Sequence, residues 1–176
     1  HIKLKEKFKK LITIIAPRHI NRVKEIKNMC QTLKLNTQIL NKNDKIIKGK
    51  EVIIINSYGE LSSYYNFIKS VFIGKSTLKK LKNVGGQSPI EAAQLGCKIY
   101  HGPYVYNFKE IYNILKKNNI SKQIKSSQQL ANSLFSDFKN NSKRNNKFFT
   151  VMANLRKKTL NTTMKNINKF LIDENI

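Results

Sequence analysis

Val84-Gly85-Gly86-Gln87-Ser88-Pro89-Ile90-Glu91-Ala92-Ala93 is the stretch on which the reading of this chain turns. It follows an apolar strand candidate, Ser70-Val71-Phe72-Ile73-Gly74, and a basic connection from Lys75 to Asn83. Gly85-Gly86 permits a tight backbone path with positive φ and leaves no Cβ between chain and ligand. Ser88 then reads as a helix N-cap, Pro89 as the first helical position and Glu91 as the third residue of that turn. A helix start delivered by a glycine loop offers unpaired N–H groups and the positive end of the dipole, which suits a phosphate or carboxylate. The same Ser-x-x-Glu spacing is also a capping box, in which Glu91 only closes its own helix. Both readings stand at this point.

Outward from that loop, strand, turn and helix alternate. Leu11-Ile12-Thr13-Ile14-Ile15-Ala16 has the pattern of a parallel strand buried on both faces and ends at Pro17-Arg18-His19. Val23, Ile26, Met29, Cys30 and Leu33 recur at helical spacing, and Thr37 to Leu40 reads as an edge strand. Glu51 to Asn56 is the clearest strand and runs into Ser57-Tyr58-Gly59-Glu60-Leu61. Gly96 to Tyr100 is a further strand, with His101-Gly102-Pro103-Tyr104-Val105-Tyr106-Asn107-Phe108 as its exit loop and a helix from Lys109 to Asn118. Residues 121–140 and 146–172 read as helices joined by a polar segment, Lys139 to Asn146. The alternation predicts an α/β fold with a Rossmann-like parallel sheet over residues 1–118 and a helical extension over 119–176. Ligands of open parallel sheets sit outside the carboxyl ends of the strands, where Pro17, Gly59, Gly85, Gly86, Gly102 and Pro103 all fall.

The chain has 176 residues and a formal net charge of +24. Its 34 basic residues include only Arg18, Arg22, Arg144 and Arg156 as arginine. Abundant Lys, Asn and Ile fit a biased genome composition as well as a surface selected for acidic partners. Zinc-finger spacing, a basic region joined to heptads and an aromatic RNA-binding signature are all missing, so no nucleic-acid partner is expected. No apolar run is long enough to cross a membrane and no signal peptide is evident. Cys30 and Cys97 lie far apart without metal spacing, as in a reducing compartment. A nucleophile elbow, a Walker loop and His/Cys/Asp metal spacing are missing too, so neither a catalytic residue nor a metal site is expected. The first residue is His1, so the chain reads as a piece of something longer.

Four turns together carry a resemblance: Ala16-Pro17-Arg18-His19, Tyr58-Gly59-Glu60-Leu61, Gly85-Gly86-Gln87-Ser88-Pro89-Ile90-Glu91 and Gly102-Pro103-Tyr104-Val105-Tyr106-Asn107-Phe108. In order and context, from about Leu11 to Leu115, they resemble the motifs of the 3-deoxy-D-manno-octulosonic acid (Kdo) transferases. The resemblance implies the C-terminal, donor-binding half of a GT-B glycosyltransferase, with two Rossmann-like domains in the whole enzyme and the active site between them. It implies metal-independent transfer of Kdo from CMP-Kdo to the lipid A precursor, lipid IVA, at the cytoplasmic face of the inner membrane. By motif, Pro17 and Arg18 would contact CMP, with Arg18 near the phosphate; Tyr58, Gly59 and Glu60 would border the nucleotide. Ser88, Pro89, Ile90 and Glu91 would bind it, Glu91 at the ribose hydroxyls, and His19, Gly85, Gly86, Gln87 and Asn107 would complete the donor loops. The family usually carries Met at the position of Tyr58, His at that of Gln87 and Asn at that of Ser88. Its catalytic base and membrane anchor belong to an N-terminal domain, and its first C-terminal strand is expected ahead of residue 1.

Three other readings remain beside this one: a GT-B glycosyltransferase for another nucleotide sugar, a basic nucleic-acid-binding module, and a partner protein with a vestigial crevice. If the positive charge is selected, an anionic membrane surface and the phosphorylated lipid acceptor are its expected partners.

Overall fold

In a computed structural model of the protein, residues 1–140 and 147–173 are described. Most of the polar join expected at Lys139 to Asn146 therefore lies outside the described residues.

Four consecutive β-branched residues form the best-buried strand, β3 (Val52–Ile55), in which every residue is buried. A continuous apolar run is what a parallel strand covered on both faces requires. It pairs in parallel with β1 (Thr13–Ile15) on one side and β2 (Thr37–Leu40) on the other. Helix α2 (Val23–Thr32) covers one face with Val23 and Cys30 against Val52 and Ile54, and Ile26 packs at the margin. Met29 and Leu33, expected on that buried face, are exposed, because the helix presents only a narrow stripe to a three-stranded sheet.

A second parallel sheet holds β4 (Ser70–Ile73), β5 (Lys98–His101) and β6 (Ser121–Gln123) in that order. The single sheet expected from the alternation is thus two sheets of three strands, and β1 and β4 each pair on one side only. β1 is half-buried, where burial on both faces was expected.

Residues 121–140, read as one helix, are divided. Ser121–Gln123 is a strand, clamped by Ile120 and Ile124, whose backbones bond to Ile99 and His101. Helix α6 (Ser127–Lys139) starts only after Ser126, whose Oγ accepts from the Gln129 N–H at 3.1 Å. Such a cap supplies a partner for an otherwise orphaned donor.

The larger core lies against the second sheet, where Ile73 and Ile99 meet Ala92 and Ala93 of α4 (Ile90–Gln94) and Leu115 of α5 (Lys109–Lys117). Tyr65 of α3 (Leu61–Tyr65) joins it, and α7 (Lys147–Asp173) enters through Met152. The side chain of Phe148, expected on the apolar face of this last helix, lies outside the described residues. Asp137 fastens α6 to the sheet: its carboxylate accepts from Ser70 Oγ at 2.9 Å, Lys98 Nζ at 2.7 Å and the Tyr100 hydroxyl at 2.6 Å. The short helix α1 (Ile2–Lys5) precedes Phe8, whose ring packs against Phe135 and Phe138 of α6.

Candidate functional site

The turn after β3 is closed by its own side chains. The Ser57 hydroxyl donates to the Glu60 carboxylate, and α3 begins at Leu61. Tyr58 projects from this turn, and its hydroxyl accepts from the Ile20 N–H at 3.4 Å. That contact brings the turn after β3 to the turn after β1, where Pro17 is half-buried and Arg18 and His19 are exposed. Arg22 is committed to Glu25, with nitrogen–oxygen distances of 3.1 and 3.2 Å. Among the described residues the side chains of Arg18 and His19 make no hydrogen bond or ion pair, which leaves the Arg18 fork open for a planar anion.

The second pair of turns is held by backbone. Gly86, at φ +90, donates its N–H to the Lys75 carbonyl at 2.7 Å. Asn107 reaches the same loop twice, its N–H to the Gly85 carbonyl at 3.2 Å and its Nδ2 to the Val84 carbonyl at 3.0 Å. The Tyr112 hydroxyl donates to the Gln87 carbonyl at 3.1 Å. Beneath them Ser76, fully buried, donates to the Ile73 carbonyl at 2.7 Å and accepts from the Gly102 N–H at 2.9 Å. A Cβ on Gly102 would stand 2.1 Å from the Ser76 carbonyl oxygen, so only glycine fits where these strands exit.

Helix α4 starts one residue later than its spacing predicts. Pro89 takes the N-cap position, its carbonyl accepting from the Ala93 N–H at 3.0 Å. Ser88 Oγ accepts from the Ile90 N–H at 3.4 Å, and the helix has no side-chain N-cap bond. The capping box, one of the two readings of this spacing, is therefore not formed, and Glu91 stands exposed in the first turn. Pro89 is buried and Ile90 packs on the core, so these two offer a ligand chiefly their backbone, whereas Ser88 and Glu91 face outward. The two pairs of turns meet through α3, which packs on α4. Burial first, then the Glu91 carboxylate and Cys97, push the Tyr65 phenol up to about 12.

His101, at the end of β5, is buried beneath these loops. Its Nδ1 lies 2.7 Å from the Gly102 carbonyl, which can only accept, so Nδ1 carries the proton. Nε2 is buried and has no partner among the described residues, and the ring stands 4.3 Å from that of Tyr112. Burial above all holds the imidazole below its ordinary pKa; the Gly102 hydrogen bond acts the other way and Lys116 lowers it further. The roles of Ser76 and Tyr112 carried no signal in the sequence beyond Ser76 following a strand.

The four turns carry Arg18, Tyr58, Ser88 and Glu91, all exposed. A surface concavity of about 500 Å³, lined by Lys7, Phe8, Lys9, Lys10, Leu11 and Phe138, contains none of these residues. Among the described residues no three His, Cys, Asp or Glu side chains gather as metal ligands.

No protein-family model matches the chain. The C-terminal CMP-Kdo binding domain of WaaA from Acinetobacter baumannii superimposes with a TM-score of 0.70 and 24% identity, over 87% of this chain and 76% of that one. The chain has the fold of that domain. That fold is a Rossmann-like α/β arrangement with parallel strands, flanking helices and a C-terminal helix. Curated relatives are 3-deoxy-D-manno-octulosonic acid transferases. That of Rickettsia typhi is 32% identical over 100 residues, which is 57% of this chain and 21% of the relative. That of Haemophilus influenzae is 26% identical over 110 residues, covering 62% of this chain and 25% of the relative. The resemblance read from the four turns is thus matched by sequence and by fold. The chain spans between about a fifth and a quarter of the length of these relatives.

Proposed function

We propose that this chain is the donor-binding part of a Kdo transferase and holds CMP-Kdo at the rim formed by its four turns. The observation that carries this is Glu91. Its carboxylate is exposed in the first turn of α4, and the helix has no side-chain cap to employ it. It stands beside a glycine loop whose path is set by Lys75, Asn107 and Tyr112. Such a carboxylate can accept from two adjacent ribose hydroxyls. Arg18 supplies the fork for the phosphate, Tyr58 to Glu60 border the nucleotide, and Gly85 to Gln87 let the backbone approach it.

Transfer breaks the bond between the anomeric carbon of Kdo and the CMP oxygen and forms a bond to an acceptor hydroxyl, whose proton needs a base. By the family resemblance, base and acceptor site belong to other parts of the enzyme. The acceptor is the lipid A precursor at the cytoplasmic face of the inner membrane, and donor binding needs neither metal nor cofactor. On this reading the 176-residue chain alone does not transfer Kdo.

The test is calorimetric titration of CMP into the full-length enzyme and its Glu91→Gln variant. Loss of charge-assisted hydrogen bonds should weaken binding by about 1.5–3 kcal/mol, roughly ten- to 150-fold. Affinity equal to the parent would remove Glu91 from the site. Preference for UDP over CMP would assign the fold to another nucleotide sugar, and loss of CMP binding in EDTA would overturn the metal-free reading.

A further inference from the structure

The Tyr112 side chain does more than fill the core. It is buried on α5, and its ring stands 4.3 Å from that of His101. Phenylalanine would fill the same volume and bring no polar atom that needs a partner. The hydroxyl finds its partner in the Gln87 carbonyl at 3.1 Å. Burial above all, then Tyr65, pushes the phenol's pKa up, so the group stays a donor through the neutral range.

The glycine loop is tied at two places by residues that follow β5. Asn107 holds the Val84 and Gly85 carbonyls and so fixes how the loop arrives. Tyr112 holds the Gln87 carbonyl and so fixes how it leaves. No described peptide bond is cis, so the carbonyl and N–H of the Gln87–Ser88 peptide point in opposite directions. With the carbonyl drawn to a buried hydroxyl, the other edge of that peptide is turned outward, where Ser88 is exposed. Pro89 follows at once, buried and with its φ at −88, and a residue ahead of proline is itself biased to extended backbone. Little rotation is left between the bonded carbonyl and the first turn of α4, which carries Glu91. The direction set at Gln87 is thus passed on to Glu91.

We infer that Tyr112 is a positioning residue of the donor site: its hydroxyl holds the Gln87–Ser88 peptide at the angle that places Glu91 for the nucleotide. The inference rests on the donor reading and adds to it a buried side chain that acts only through the loop.

The experiment is calorimetric titration of CMP into the full-length enzyme, with Tyr112→Phe, Tyr100→Phe, Glu91→Gln and the Tyr112→Phe/Glu91→Gln double variant beside the parent. Tyr100→Phe is the same chemical change in the same core region, but its hydroxyl donates to Asp137 on α6 at 2.6 Å. Both single variants keep their rings and should fold with a modestly lowered melting midpoint. Tyr112→Phe should weaken CMP binding about three- to tenfold, whereas Tyr100→Phe should stay within about twofold of the parent. Added to Glu91→Gln, Tyr112→Phe should cost clearly less than it does alone, because the group being placed has already lost its charge. Parental affinity in Tyr112→Phe would overturn the inference, and weakening by Glu91→Gln in the same series would leave the donor reading standing. Equal weakening by Tyr100→Phe would overturn it too, since a general loosening of the sheet would then suffice. So would full additivity in the double variant, which would place the effect elsewhere than at Glu91. A parent that does not bind CMP would overturn the donor reading and the positioning role with it.

Discussion

The sheet β1-β3-β2 and the sheet β4-β5-β6 are built from the same parallel strand–helix units, yet they hold their turns differently. In the first, Val23, Cys30, Val52 and Ile54 form a small core, and the two turns touch through one long hydrogen bond from Ile20 to Tyr58. In the second, the core extends over α3, α4, α5 and α7; its turns are bound backbone to backbone from Gly86 to Lys75, Tyr104 to Ser76 and Asn107 to Gly85, and Ser76 Oγ accepts from the Gly102 N–H. One half fixes a backbone cradle; the other presents side chains on a loosely tied rim. Exposed side chains stand in both halves, Arg18 and Tyr58 on the looser turns and Ser88 and Glu91 beside the fixed cradle.

The contrast breaks most visibly at Gly102. Gly102→Ala forces a Cβ against the Ser76 carbonyl at 2.1 Å and should cost about 3 kcal/mol or more, read as a lowered midpoint in urea unfolding. Next is Asp137→Ala, which leaves the Tyr100 hydroxyl, Ser70 Oγ and Lys98 Nζ without their shared acceptor, at about 2–3 kcal/mol. Hydrogen exchange should then accelerate in β4, β5 and β6 and stay unchanged in β3.

Acid should find the same half first. His101 has its pKa held down in the fold by burial, so the stability it contributes is present above its ordinary value of 6.5 and is lost as pH falls below it. Stability should decline with acid below that value, and His101→Leu should reduce this dependence. Thermal melts between neutral and mildly acid pH distinguish the two proteins. Smallest in stability should be Tyr58→Phe and Arg18→Lys in the looser half, each within about 0.5 kcal/mol. Arg18→Lys should nevertheless weaken CMP binding, since an ammonium cannot reproduce the planar fork. A large stability loss at either position would erase the distinction between the halves.

What was legible in the sequence follows the same division of causes. β3, β4 and β5 are apolar runs, and the turns that end β1, β3 and β5 carry Pro or Gly, so local chemistry sufficed. Strand β6 was hidden because Ser121-Lys122-Gln123 has no strand alternation; it is a strand through the burial of Ile120 and Ile124 against neighbours distant in sequence. The Ser126-x-x-Gln129 start of α6 was a signal that a reading by apolar period passed over. At Glu91 spacing alone could not separate cap from ligand contact, because a one-residue shift in the helix start decides it. The division into two three-stranded sheets had no trace in the alternation, which tells of strands but not of their neighbours.

Helix α7 is 27 residues long, which makes it a rod of about 40 Å. Its root bears on α4 through Val151, Met152 and Leu155, and α4 carries Glu91. Mechanically this is a lever with a short docked arm and a long free one. A small sideways load far out along the rod is returned, multiplied, as a torque on the helix that carries Glu91. The angle at which anything seats along residues 156–172 is therefore an angle imposed on α4.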